Sequence, residues 1–206
     1  MKKYFFISCL FLLSCKEQPE AVDENEKIID NNASLAEFQN LVQDGDIVFK
    51  LGYGQVSRII QEKLGEKIPI SHCGIVHHKT SPYIIHTISG TIAKDDGVQT
   101  ISLEDFHKDS KPNSLFILRS KDTTSRKMIS LKAEEYLEKK IPFDHDFDRF
   151  DNNKMYCSEL VEEVLKTTLG RGYFGLKQIG NNQLYSFNEF LFNKDFIVVS
   201  PENFHK

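Results

Sequence analysis

The chain has 206 residues, 40% of them apolar, and a formal net charge of -4. It is long enough for one domain with its own core and too apolar to stay disordered. The charge balance and the lack of any basic stripe exclude nucleic acid as a partner.

The N-terminus reads as a targeting segment. Met1-Lys2-Lys3 is positive, and the apolar stretch from Tyr4 to Leu13 is too short to span a bilayer. It ends Leu12-Leu13-Ser14-Cys15, which resembles a bacterial lipobox: apolar, variable, small, then Cys. The resemblance implies cleavage before Cys15, lipidation of its sulfur, and a mature protein held in the cell envelope by a membrane anchor. Several acyl chains on one residue suffice for stable anchoring, where one chain does not. Residues 1–14 are then a signal peptide. Residues 15–33, polar and acidic from Lys16 onward, are a flexible tether. Residues 34–206 form one domain. Of four cysteines, Cys9 leaves with the signal and Cys15 carries lipid, so only Cys73 and Cys157 remain in the fold.

Ser34-Leu-Ala-Glu37 fits a capping box, and Leu35, Phe38, Leu41 and Val42 continue at helical spacing. Asp44-Gly45 is a turn before a strand over Asp46–Phe49. Ser57–Leu64 has helical periodicity and is closed by Gly65. Ile68–Val76 and Tyr83–Ile88 flank the turn His77–Pro82 and predict an antiparallel hairpin. Gly97–Ile101 is a further strand, Ser102–Phe106 a capped helical turn, and Ser114–Arg119 a buried strand. Thr124–Lys140 is a helix stopped by Ile141-Pro142. After a loop over Asp144–Asp151, Leu160, Val161, Val164 and Leu165 recur at helical spacing, with Asn152 or Asn153 as the N-cap. Past Thr168, four glycines break regularity. A short helix over Phe187–Phe192 and a closing strand over Phe196–Ser200 complete an α+β domain.

Cys157 falls in the first turn of the last long helix, where unpaired N–H groups and the helix dipole favour thiolate. By itself such a cysteine is more often a small buried hydrophobe. The hairpin changes that reading. If it folds about Thr80, opposite residues sum to about 160, so His86 faces Gly74 and lies diagonal to His72 on one face. Cys73 alternates to the other face. With His72 toward the Cys157 helix, Cys73 is expected to be a packing residue, out of reach of a disulfide. A thiol, an imidazole to take its proton and a polar group to orient that imidazole are the parts of thiol nucleophilic catalysis. Cys157, His72 and His86 supply all three.

Asp44-Gly-Asp46-Ile-Val-Phe49, Ser71-His72-Cys-Gly74-Ile-Val76, Pro142-Phe143-Asp144 and Tyr156-Cys157-Ser158-Glu159-Leu160 occur in this order. Together they resemble the circularly permuted papain-like amidases of the YiiX/YaeF type, within the NlpC-like superfamily and related to lecithin:retinol acyltransferase. In that group the His strand comes first and the Cys helix last. The resemblance implies a permuted papain-like fold, in which a small antiparallel sheet packs against helices. It implies Cys157 as nucleophile, His72 as base and His86 as the third, polar residue. Tyr156, Gly74 and Asp46, from the same motifs, are the candidate substrate-binding positions. The implied reaction is cleavage or transfer at an amide or ester bond through a thioester, with water or another acceptor resolving it. Cell-wall peptides and lipid-type small molecules are the substrate classes to weigh. No cofactor and no obligate protein partner are implied.

Three rivals stand against this reading. Asp144, Asp146 and Asp148 begin like a calcium loop, but Arg149 and Met155 stand where its glycine and bidentate glutamate belong. His77-His78 lacks partners at zinc-ligand spacing, so no metal site is expected. A non-catalytic envelope-binding lipoprotein on the same fold has no need for a Cys/His/His set. In a purely structural envelope protein Cys157 would be only a buried core residue.

Overall fold

The computed structural model describes residues 34–151 and 153–199. The expected signal peptide, Cys15 and the tether lie outside those residues. Six strands form one antiparallel sheet in the order β4-β3-β2-β1-β5-β8, with a separate hairpin β6-β7. The strands are β1 (Ile47–Lys50), β2 (His72–His78), β3 (Pro82–Ile88), β4 (Gly97–Ser102), β5 (Phe116–Ser120), β6 (Gly175–Ile179), β7 (Asn182–Ser186) and β8 (Phe196–Val199). The helices are α1 (Leu35–Leu41), α2 (Gln55–Leu64), α3 (Leu103–Lys108), α4 (Thr123–Lys139), α5 (Cys157–Leu169) and α6 (Asn188–Leu191).

Local chemistry sets the helix starts. Ser34 and Glu37 exchange the two hydrogen bonds of a capping box, Glu37 N–H donating to Ser34 Oγ at 3.3 Å and Ser34 N–H to Glu37 Oε2 at 2.8 Å. Ser102 caps α3, and the Asp122 carboxylate accepts from the first-turn N–H groups of Thr124 and Ser125 in α4. α4 ends on Lys140 in a left-handed conformation before Pro142.

Alternation along the strands divides the sheet into two faces. Val48, Val76, Ile84 and Ile117 pack with Phe38 of α1 and Leu103 and Phe106 of α3. Ile47, Phe49, Cys73, Ile75, Ile85 and Leu118 face the other way, onto Ile129 and Ala133 of α4 and Leu160, Val161, Val164 and Leu165 of α5. Phe49, Tyr173, Phe174, Phe187, Phe190 and Phe196 form an aromatic cluster there. Among the described residues, most phenylalanines are buried in one or other of these two clusters.

Two local features differ from the sequence reading. β6 and β7 make a hairpin around Gly180 (φ 59°) where glycines suggested only irregular chain. α5 begins at Cys157 with Tyr156 as its N-cap residue, not at Asn152 or Asn153. The chain before α5 is held in extended form by a bridge between Phe143 and Met155 and by Thr87 Oγ1 donating to Met155 O at 3.0 Å. That pairing takes the residues which would otherwise have begun the helix.

Asp46, expected at the substrate, is fully buried in an ion pair with Arg119, at 2.7 and 2.8 Å, and also accepts Gln43 N–H. It ties β1 to β5 and to the end of α1, and it does not line the cavity described below. Removing one partner of a buried pair strands the other charge, which costs about 3–5 kcal/mol. Asp46→Ala should therefore lower stability by about that amount in urea unfolding. A loss below about 1 kcal/mol would show that the pair is not holding β1 to β5.

Candidate active site

The hairpin has the register inferred from its turn: Ile75 pairs with Ile85 and Val76 with Ile84, both summing to 160. One step further, Gly74 meets His86. A Cβ on Gly74 would lie 2.5 Å from Ile84 Cγ2 and 2.9 Å from the Ile85 carbonyl. Gly74 is therefore a close-approach residue between β2 and β3. It lies outside the cavity lining, so its placement supports spacing rather than substrate contact.

The two imidazoles meet edge to face, His72 Nε2 to His86 Nδ1 at 2.8 Å. His86 is buried, and burial, then the neighbouring His72, then Lys50 hold it well below the usual histidine range. His86 is thus a neutral imidazole. Since His72 spends Nε2 on His86, its Nδ1 is the nitrogen left for another partner.

That partner is Cys157. Its sulfur is held well below the ordinary thiol range, first by hydrogen bonding from the Cys73 thiol and next by the His72 ring. The Cys73 backbone N–H adds to this, while burial opposes it. Cys157 is also the first residue of α5, at the positive end of the helix. The structure thus brings Cys157, His72 and His86 together.

It corrects the expectation for Cys73. Strand parity does put Cys73 on the face opposite His72, but α5 packs on the Cys73 face. His72 is the first residue of β2 and reaches Cys157 around the end of the sheet, where alternation no longer separates the faces. Both thiols are free. Burial and the adjacent Cys157 push the Cys73 thiol well above its ordinary value, so it stays protonated and can donate.

Lys50 was missed by the sequence reading. It pairs across β1–β2 with His72, is almost fully buried, and holds Asp109 at 2.6 Å with its ammonium 4.5 Å from the Phe106 ring centroid. Burial lowers its affinity for a proton and Asp109 partly restores it. A lysine in a strand otherwise buried on both faces was the available signal. Glu159, in the sequence one residue of the Tyr156–Leu160 motif, has a distinct environment in the structure. It accepts Tyr156 N–H at the start of α5 at 3.4 Å, while Oε1 is buried with no partner among the described residues. Burial, with Asp144 and Asp148 nearby, pushes it up to about 8, as suits a carboxyl that keeps its proton.

A cavity of about 310 Å³ opens beside these groups. Val56, Ile60 and Leu64 of α2, Ile88, Ile92, Ile101, Phe143, Phe147, Leu184 and Phe187 make its walls mostly apolar. The polar lining includes Cys157, His72, His86 and Lys50. Tyr156 lines it too, with its hydroxyl accepting Tyr185 N–H at 3.3 Å. Among the described residues no group of three or more His, Cys, Asp or Glu is placed to hold a metal ion. Both carboxylate oxygens of Asp144 are taken by the backbone N–H groups of Asp146 and Asp148.

An antiparallel sheet whose His strand precedes the Cys helix, with the thiol meeting the imidazole at the sheet's end, defines a papain-like fold in permuted order. The chain belongs to the permuted papain-like amidase family YaeF/YiiX, a family of cysteine hydrolases, which it matches over residues 41–206. A solved structure of similar fold is the metalloprotein yiiX from Escherichia coli, with a TM-score of 0.64 at 18% identity, covering 79% of this chain and 98% of that one. At that identity the likeness is one of fold. No curated protein matches the chain.

The pKa directions give a reactivity test. A depressed thiol is ionised, and so alkylated, at pH values where an ordinary thiol is not. Cys157 should react with iodoacetamide at pH values well below those at which an ordinary thiol, of pKa about 8.5, ionises. Cys73→Ala should move the alkylation profile to higher pH, and Cys73→Ser, which keeps a donor, should move it less. An unmoved profile in both variants would remove Cys73 from the account.

Proposed function

We propose that this protein is a thiol-dependent hydrolase or acyltransferase of the bacterial cell envelope, acting on an amide or ester bond through a thioester of Cys157. The single observation that carries the reading is the chain of contacts Cys157–His72–His86 at the end of an apolar cavity. His72 takes the thiol proton on Nδ1. The thiolate attacks the carbonyl carbon, and the backbone N–H groups at the start of α5 are available to the oxyanion. His72 then returns the proton to the leaving amine or alcohol, and water or an acceptor cleaves the thioester. His86 holds His72 through Nε2 and, being neutral, leaves the transferred proton on His72.

The cavity lining favours one substrate class over the other. A cell-wall peptide is polar and charged and would leave its groups unpaired against Val56, Ile60, Ile88, Phe143 and Phe147. An acyl chain gains from the same walls, at roughly 0.8 kcal/mol per buried CH₂. We take the substrate to be an acyl amide or acyl ester of lipid type. A non-catalytic binding protein would not need the depressed thiol.

Cys157→Ala and His72→Ala should each lower kcat/KM on an acyl ester or amide by roughly a thousandfold or more, and the double variant should be no worse than either. His86→Ala should be milder, because water can replace part of an orienting contact. Kinetics on these four variants, with circular dichroism to confirm folding and muropeptides as a parallel substrate set, decide the matter. Substantial turnover by folded Cys157→Ala would sink the proposal.

The envelope location rests on the lipobox-like Leu12-Leu-Ser-Cys15. The wild-type protein should fractionate with membranes, and Cys15→Ala should release it. An unmodified Cys15 in the mature chain, read by mass spectrometry, would end the anchor proposal.

A further inference from the structure

α2 buries only one residue fully, Leu64, although Val56, Ile59 and Ile60 repeat at helical spacing. Val56 and Ile60 turn into the cavity, whereas Ile59 extends the same stripe outward. Ile59 is 50% exposed, Tyr53 just before the helix 59%, Val56 45%, and Ile92 on the loop that forms another wall of the cavity 55%. Val56 and Ile92 thus carry exposed apolar surface at the cavity itself, and Tyr53 and Ile59, three residues either side of Val56, add more on and just before the same helix. An apolar surface left in water at the mouth of an apolar cavity marks a place where something apolar is met.

We propose that this rim is a membrane-docking surface, through which an acyl substrate passes from the lipid layer into the cavity without crossing water. The proposal deepens the reading of the substrate as an acyl lipid and rests on it. Two considerations choose a lipid surface over other occupants. A second copy of the chain seated on the rim would cover the cavity and shut out substrate, whereas a lipid surface supplies it. The second is reach. A tether over residues 15–33 extends at most roughly 65 Å, against a domain about 40 Å across. An anchor at Cys15 would therefore let every face reach the membrane, and the exposed apolar residues would decide which one does.

Tyr53 and Ile59 lie outside the cavity lining and are exposed, so changing them leaves core and site intact. The test compares the mature chain, from residue 15 onward and carrying Cys15→Ala, with the same chain also carrying Tyr53→Ser and Ile59→Asp, by flotation with phosphatidylethanolamine/phosphatidylglycerol vesicles. The anchor-free chain should float, and the rim variant should lose roughly tenfold in partition. Both should hydrolyse a soluble short-chain ester equally, while only the rim variant slows on an acyl substrate embedded in the vesicles. Equal flotation of the two chains would overturn the docking surface. Dimerisation of the anchor-free chain that the rim changes abolish would assign the patch to a second copy and overturn it as well. If flotation separates the chains but neither hydrolyses any ester, the acyl-hydrolase reading fails and the docking surface stands.

Discussion

The position of α5 on the sheet is the constraint on which the rest depends. Leu160, Val161, Val164 and Leu165 are fully buried as α5 packs against β2, β3 and α4. Each contributes roughly 1.5–3 kcal/mol of burial, so the helix cannot shift along the sheet without losing several such contacts. Because Cys157 is the first residue of that helix, fixing the apolar stripe also fixes the thiol at the end of β2. His72 is the first residue of β2 and so meets the thiol there. Core packing thus places the Cys157 sulfur, and no loop has to be ordered to bring it in.

Buried carboxyl groups do the complementary work around the cavity. Glu66, just past α2, accepts from Ser186 Oγ and from the N–H groups of Phe187 and Asn188. Glu162 of α5 accepts from the N–H groups of Tyr173 and Phe174. Each satisfies backbone donors that a glycine-rich segment leaves without ladder partners. Burial raises both groups, and the hydrogen bonds to backbone N–H oppose the rise. The result is that Leu184 and Tyr185 of the β6–β7 hairpin, and Phe187 after it, are held to the end of α2 as part of the cavity wall.

Much of this was legible in the sequence, and the gaps have physical reasons. Strands and helices with clear periodicity, from α1 to β5, follow their apolar patterns. The hairpin register follows from turn length alone, and it placed His86 beside His72. The β6–β7 hairpin was hidden because its strands carry little apolar alternation and its glycines look like breaks. Cys73 was misjudged because alternation was applied to a residue next to a strand end, where a neighbour can reach around the sheet. Asp46 sits in a family motif, which suggested substrate, but its burial partner Arg119 lies far along the chain. No local pattern could show that pairing. Lys50 was missed for a related reason: a lysine closing a strand normally reads as surface, and only the register with His72 and the partner Asp109 make it part of the site.

Lys50 also bears on why the third residue is an imidazole. A carboxylate at the position of His86 would face a buried ammonium and form an ion pair with it. That would draw the third residue away from His72 and leave less of its charge to orient the base. A neutral imidazole does not compete for Lys50, because Asp109 already holds that ammonium. Lys50 and His72 both disfavour charge on His86. Of these two rings, His72 is the one in contact with Cys157. A thiolate and an imidazolium side by side, each stabilised by the other, are the charged state that the proposed reaction needs at its start. Within this site a cation and two histidines are compatible because each has a distinct charge: Lys50 is neutralised by Asp109, His86 is uncharged, and His72 is paired with sulfur.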